Sequence, residues 1–426
     1  MRRNLKRTLL VLAIVALFPG VIAQPPERTD PAMRVGADSD LTTPAAYSTG
    51  APEVQSSAEA RWQAAASVGG QTAVLLEPEG DAAAPAPTVP AESLTAATWT
   101  TELVDAAGGY YVAQAHDPLD GRPSLAYPAG RILRFAHWNG TSWTIEDVSG
   151  GDVTGTSLAY SPNGEPAISW RSSSTLKVAR KSGSRWTIES VDKSVGEFTA
   201  IAYDAAGNPA VAYTVAGRKT QPVRFARRGS TGWVIETVDS AAKSRYVSIA
   251  FSLAGVAAIS YSSDSDGDGW LDSLWYATRG ASWSTELVEG PERGMGVNCD
   301  LAFDPLTGEP VVVHSGTTSD GARFTRKGSG GWSTSLIDPC DYCGNGATLT
   351  FSSTGVPFVG YSNWKDPSAT TEIRVAYWDA DAQTWVSELV EALDSSHAAV
   401  GVSPSGQATA AYYASMPKDV RFGRRQ

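Results

Sequence analysis

From residue 96 onward, apolar and polar residues alternate in short runs. Segments such as LAYSPNGEPAISW (158–170), IAYDAAGNPAVAY (201–213), IAFSLAGVAAISY (249–261), LAFDPLTGEPVVVH (301–314) and LTFSSTGVPFVGY (349–361) keep β-branched and aromatic residues at period two on both sides of a glycine turn. Period two belongs to strands, whose successive side chains point to opposite faces. A basic-apolar strand follows each hairpin (LKVAR, VRFAR, ARFTR). Then come a second glycine turn and a strand opened by tryptophan (WTIESV, WVIETV, WSTELV). Glycine supplies the positive φ that such tight turns require. The predicted unit is four short strands, joined by a turn, a variable loop and a second turn.

The strand-opening tryptophans are Trp99, Trp143, Trp186, Trp233, Trp283, Trp332 and Trp385, spaced 44, 43, 47, 50, 49 and 53 residues apart. A four-stranded unit recurring every roughly 40–50 residues predicts a β-propeller blade. The last unit stops at DVRFGRRQ, a third strand, while the patterned region opens at TWTTELV (98–104), a fourth strand with no unit before it. The expected fold is therefore all-β: a seven-bladed β-propeller of four-stranded blades over residues 96–426. Its N-terminal strand completes the last blade, so no open sheet edge remains at the seam. Blade 1 is expected to begin near Tyr110.

On these repeats the chain resembles bacterial secreted β-propeller repeat proteins and, more distantly, the sialidase and lectin propellers, over residues 96–426. The sialidase-type turn Ser-x-Asp-x-Gly-x-x-Trp reads here KSGSRW, RRGSTGW and TRGASW, with glycine and tryptophan kept and the aspartate absent.

Upstream, residues 1–23 read as a secretory signal peptide. Arg2, Arg3, Lys6 and Arg7 precede an apolar run at 9–18 that is too short to span a bilayer, and VIA (21–23) has small-residue cleavage character. Residues 24–95 are rich in Ala, Pro, Glu, Ser and Thr and predict a disordered linker. A secreted protein without a membrane span is expected, extracellular or periplasmic. Removing the four basic residues of the leader lowers the formal charge from −11 to −15. Such a surface repels phosphate backbones and excludes nucleic acid as a natural partner. Cys299, Cys340 and Cys343 are disulfide candidates, two of them expected to pair.

Three columns repeat across blades. The strand-opening tryptophans read as packing between blades. The third strands carry Arg134, Lys177, Arg224, Arg323, Arg374 and Arg421, with Leu274 aligned to them in blade 4. The fourth strands carry Glu102, Glu146, Glu189, Glu236, Glu286 and Glu388, with Ser335 in blade 5. Arg–Glu pairing within each hairpin is the expected reading. Six residues after each turn glycine stand Tyr127, Trp170, Tyr213, Tyr261, His314, Tyr361 and Tyr412. This ring reads either as interblade packing or as a rim of ligand-stacking surfaces.

The loops between strands 2 and 3, and those joining one blade to the next, vary while the other turns do not. All irregularity therefore falls on one face, the expected binding surface. On it lies DSDGDGWLD (264–272) in blade 4. Asp264, Asp266, Asp268 and Asp272, with the Trp270 carbonyl, present oxygen ligands at calcium spacing, and Gly269 at position 6 allows the turn. The loop resembles the D-x-D-x-D-G-x-x-D hairpin loops of integrin-type propellers. One structural Ca²⁺ is expected there. Trp270 and Trp364 have no repeat counterpart and are candidates for stacking on a sugar or partner.

No Ser-His-Asp order and no HExxH motif is present, and no catalytic residue is assigned. The leading expectation is a secreted, non-enzymatic module that recognises a glycan or a cell-surface or extracellular partner through the variable face. A glycoside hydrolase or lyase of sialidase type and a structural adhesion protein are the alternatives.

Overall fold

The computed structural model describes residues 97–426 except 218, 317–320, 339–342, 364–369 and 417, together with the side chains of 343–345 and 396. The leader and linker therefore lie outside the described residues. Among the described residues, twenty-eight strands form seven antiparallel four-stranded sheets. The protein is an all-β, seven-bladed propeller. The first strands of successive blades pack against one another in a closed circle about the axis. Blade 1 comprises Ala113–His116, Pro123–Ala129, Ile132–Trp138 and Trp143–Gly150. Blade 7 comprises Ser395–Val402, Ala408–Ala414 and Asp419–Arg425, and Trp99–Asp105 supplies its fourth strand. That strand pairs antiparallel with Asp419–Arg425, Trp99 opposite Arg425 and Leu103 opposite Arg421.

The turn between strands 1 and 2 is built on one plan in all blades, one residue longer in blades 1 and 5. Asp117, Ser161, Asp204, Ser252, Asp304, Ser352 and Ser403 each donate a backbone N–H to the carbonyl that reopens the ladder. The side-chain oxygens of these residues cap nearby amides, as Asp204 does for Ala206 and Asn208, and Ser352 for Val356. A glycine at φ 72–87° makes the bend in each. The loops between strands 2 and 3 run instead from two residues in blade 1 (130–131) to nine in blade 4 (264–272). The scaffold is thus uniform on one face and varied on the other.

Two staples recur between neighbouring blades, and both correct the expected pairing. At five junctions the glutamate three residues after the tryptophan faces the following blade and accepts that blade's indole N–H. Glu102 takes Trp143 at 3.0 Å, Glu146 takes Trp186 at 3.0 Å, Glu236 takes Trp283 at 2.9 Å, Glu286 takes Trp332 at 3.2 Å and Glu388 takes Trp99 at 2.9 Å. The residue six after the tryptophan also faces the following blade. There the ring-column hydroxyl donates to it: Tyr127 to Asp105, Tyr213 to Asp192, Tyr261 to Asp239, Tyr361 to Asp338 and Tyr412 to Glu391. His314 replaces tyrosine in blade 5 and meets Glu289 at 3.1 Å. The third-strand arginines join this second staple, Arg134 on Asp105, Arg224 on Asp192, Arg323 on Glu289 and Arg421 on Glu391.

The arginines do not pair with the glutamates of their own hairpin because register sets the two a residue apart. Arg134 stands opposite Asp147, whereas Glu146 stands opposite Phe135, so the two charges leave opposite faces of the sheet. Register also places Trp275, not Leu274, in the arginine column of blade 4, where its ring stacks on Tyr261 at 6.5 Å. Positions three and six after the tryptophan would point to opposite faces of a regular strand. Each fourth strand carries a bulge just before the second of them, which turns both carboxylates to the same neighbour. Third-strand aromatics close the same interface, as Phe135 against Trp186, Phe225 against Trp283 and Phe422 against Trp143.

At the junction of blades 5 and 6 Ser335 stands in the glutamate's place, and the buried Trp385 indole nitrogen has no hydrogen-bond partner among the described residues; the Trp233 indole nitrogen, beside Glu189, has none either. Ser335→Glu restores the acceptor and is expected to stabilise the fold by about 1 kcal/mol. An unchanged or lowered urea midpoint would remove the indole from the account of interblade stability.

Candidate functional site

Counting back from the conserved turn aligns the starts of the seven first strands, where they converge on the axis at the varied face. The residue five before the end of each strand is Tyr111, Gly155, Phe198, Tyr246, Asn298, Gly346 or His397. The backbone is left-handed at five of these: Tyr111 (φ 70°), Gly155 (61°), Asn298 (54°), Gly346 (67°) and His397 (59°). Glycine fits that conformation freely, and at Gly155 a Cβ would lie 2.0 Å from the Glu197 carbonyl. A tyrosine or histidine held there carries strain of order 1–3 kcal/mol, which clusters at functional sites.

These side chains meet. The Tyr111 ring lies 6.1 Å from Phe198 and 6.3 Å from His397, and Phe198 lies 4.3 Å from Tyr246. The preceding residues of blades 3 and 4, Glu197 and Arg245, pair at 3.4 Å, and the Tyr111 hydroxyl donates to Glu197. Burial first, then the Glu197 charge and hydrogen bond, drive the Tyr111 hydroxyl far above its ordinary pKa, so it remains a protonated donor. The charges of Arg245 and Arg171 only partly offset this. Arg171 follows Trp170 at the end of blade 2's second strand, opposite Thr154. Other blades place Pro128, Thr214, Ser262, Ser315, Ser362 or Tyr413 there. The cluster breaks the repeat and converges, as a site must.

The structure places the expected site residues as follows. Tyr127, Trp170, Tyr213, Tyr261, His314, Tyr361 and Tyr412 are packed between blades, none more than 1 % exposed. They form no open rim and present no stacking surface. Trp170 is instructive: where the hydroxyl is missing, the preceding blade carries Ser149 in place of the carboxylate. Trp364 lies outside the described residues. Trp270 is half-buried under Arg293, whose guanidinium sits 3.8 Å from its ring centre. Cys299 is a buried free thiol pushed up to about 12 by burial, while Cys340 and the Cys343 side chain lie outside the described residues. Asp300, half-buried and with its pKa raised by burial, accepts from Ser248 and from the Leu301 and Leu349 amides, a brace between first strands.

In the blade 4 loop, oxygens of Asp264, Asp266 and Asp268 lie within 4.8 Å of one another. Oxygens facing across a calcium ion at about 2.3–2.6 Å would stand that far apart, so the trio fits the ion. Asp264 is buried and accepts the Gly267 and Gly269 amides, with Lys243 Nζ 3.6 Å away. Asp272 stands outside the trio and holds the Ser265 amide and hydroxyl at 2.9 and 2.7 Å. A shallow depression of about 260 Å³ beside the trio is lined by Lys219, Gln221, Lys243, Asp264 and Asp268.

No family model matches the chain, and no curated protein matches it. Solved structures do. A polysaccharide lyase, the PL25 ulvan lyase bound to -[GlcA(1-4)Rha3S]-, superposes with a TM-score of 0.56 at 11% identity, covering 76% of this chain and 95% of that one. AofleA from Arthrobotrys oligospora gives 0.49 at 12% identity, over 74% of this chain and 95% of that one. The α-L-arabinanase of Penicillium chrysogenum complexed with arabinobiose gives 0.46 at 12%, over 69% and 99%. At these identities the likeness is one of fold. Among the described residues no helix is long and apolar enough to cross a membrane.

Proposed function

We propose that this chain is a secreted propeller that binds a polysaccharide at the axial mouth of its varied face, with one calcium ion ordering the blade 4 loop. The observation that carries the reading is the convergence of Tyr111, Phe198, Tyr246, His397, Glu197 and Arg245 at the axis, each at odds with the repeat around it. Aromatic faces beside hydrogen-bonding tips suit a sugar, which offers both apolar ring faces and hydroxyls. Asp264, Asp266 and Asp268 would hold the ion, with Asp272 keeping the loop closed through Ser265. The ion would supply charge to a carboxylate trio otherwise faced by Lys243. The solved ulvan lyase, bound to a saccharide, lends this reading fold-level support.

A second reading, depolymerisation of the bound polysaccharide, draws on the strained backbone of Tyr111 and His397 beside Glu197. New reducing ends in a polysaccharide digest would favour it.

The test is a glycan array with the full chain, in calcium and in EDTA. Binding to a polysaccharide is expected, weakened in EDTA and reduced tenfold or more, about 1.4 kcal/mol, by Phe198→Ala. Silence in both buffers would overturn the reading. Binding indifferent to Phe198→Ala would move the site away from the axis.

A further inference from the structure

Among the described residues, two guanidiniums, Arg171 and Arg245, act at the axial cluster beside Glu197. Glu197 is the carboxylate of the cluster, and it is already engaged by the Tyr111 hydroxyl and by Arg245. Arg171 is a second guanidinium acting on the same hydroxyl, and its buried Nε has no hydrogen-bond partner. It occupies a column that other blades fill with uncharged residues, Pro128, Thr214, Ser262, Ser315, Ser362 and Tyr413. Blade 2 is also the blade in which the tyrosine staple is missing, since Ser149 replaces the carboxylate and Lys177 the arginine. Among the described residues Arg171 forms no ion pair, whereas the third-strand arginines Arg134 and Arg224 are each held by a carboxylate. A cation buried in part and left short of acceptors is matched by an anion brought from outside.

We propose that the mouth is an anionic-sugar subsite, in which a uronate carboxylate of the polysaccharide lies on Arg171 and Arg245 while the sugar ring rests against Phe198. This inference rests on the axial reading above and adds the class of sugar. The planar guanidinium fork favours carboxylate geometry. Glu197 acts as the internal competitor. It occupies Arg245 when the site is empty of sugar and sets a repulsive limit on how much negative charge the site accepts. The chain is acidic overall, with a formal charge of −11, so its long-range field opposes such a ligand and selectivity depends on these local groups.

The experiment is calorimetric titration of the full chain with an oligouronate, with the same oligosaccharide after carboxyl reduction, and with inorganic sulfate. The wild type is expected to bind the oligouronate at least tenfold more tightly than its carboxyl-reduced form. Arg171→Gln should abolish that preference without altering binding of the reduced form. Glu197→Gln should raise oligouronate affinity several-fold, a gain that a merely structural role for these residues does not produce. Sulfate binding lost in Arg171→Gln, with no oligouronate preference, would show an anion site that is not a sugar site and would overturn the proposal. Equal affinity for both oligosaccharides would overturn it too, yet leave axial sugar binding standing if Phe198→Ala still weakens both. No binding of either would overturn the axial reading along with it. Unfolding midpoints of the two variants separate a lost subsite from a lost fold. If Arg171→Gln does not fold, the gain expected of Glu197→Gln decides, and its absence counts against the proposal.

Discussion

Deleting residues 97–105 is expected to leave a chain that does not form a stable monomer. The strand Trp99–Asp105 carries both staple carboxylates of blade 7 and its single indole. Its loss strips the Trp143 indole and Arg424 of Glu102, and Tyr127 and Arg134 of Asp105. It also leaves Glu388 without the Trp99 indole. Leaving a partly buried polar partner unsatisfied costs about 1–3 kcal/mol, and several partners at two interfaces are lost at once. Stability for a folded protein is only about 5–15 kcal/mol, so the sum approaches the whole. The deletion also bares the strand Asp419–Arg425 as a sheet edge beside the apolar Phe422. Size-exclusion chromatography of the truncated chain should show aggregate, and adding a peptide of residues 97–106 in trans should recover monomer. A monomeric truncation with the parental urea midpoint would show that closure contributes little.

The second large effect concerns the tyrosine staple. Asp192→Ser removes the acceptor of the buried Tyr213 hydroxyl, 2.7 Å away, and of Arg224, 2.8 Å away. The expected loss is about 2–3 kcal/mol, tempered because the arginine is partly exposed. The protein itself contains the compensated state, for blade 2 joins blade 1 through Ser149, Trp170 and Lys177. The triple variant Asp192→Ser, Tyr213→Trp, Arg224→Lys should therefore regain most of the loss, to within about 1 kcal/mol of the parent. Urea denaturation of the single and triple variants measures the coupling. Losses that merely add across the three substitutions would show the three positions to be independent, and the staple would not be a unit.

The repeat made the fold legible, although blade 1, expected to begin near Tyr110, has its first strand at Ala113–His116. The closing strand expected at 98–104 lies at Trp99–Asp105, and DSDGDGWLD falls in the loop between strands 2 and 3 of blade 4, as alternation and turn glycines predict. What alternation does not reveal is which neighbour a face meets. Arg134 and Glu146 are close in sequence and opposite in charge, yet a one-residue offset sends them to different blades. The bulge that reunites positions three and six after each tryptophan has no sequence marker, since its residues are ordinary for a strand. The same limit misplaced Leu274 for Trp275. The tyrosine column was legible as a ring, but only packing decides that it is buried. The axial cluster was missed because its column mixes Tyr111, Gly155, Asn298 and Gly346, which look unrelated until strands are counted back from the turn. The signal was present as a column that refuses to repeat.

The direction of the staples has one more consequence. Each blade offers carboxylates on one side and receives them on the other, so every contact in the ring is heterologous, joining unlike surfaces. Such a contact has no built-in stopping point: it ends in a ring when the rotation per unit closes, and otherwise continues as a filament. Seven blades on one chain close it internally. A fragment with both surfaces exposed keeps a plug and a socket and can add copies of itself without limit. Carrying all seven blades on one chain thus protects the protein from becoming its own polymer.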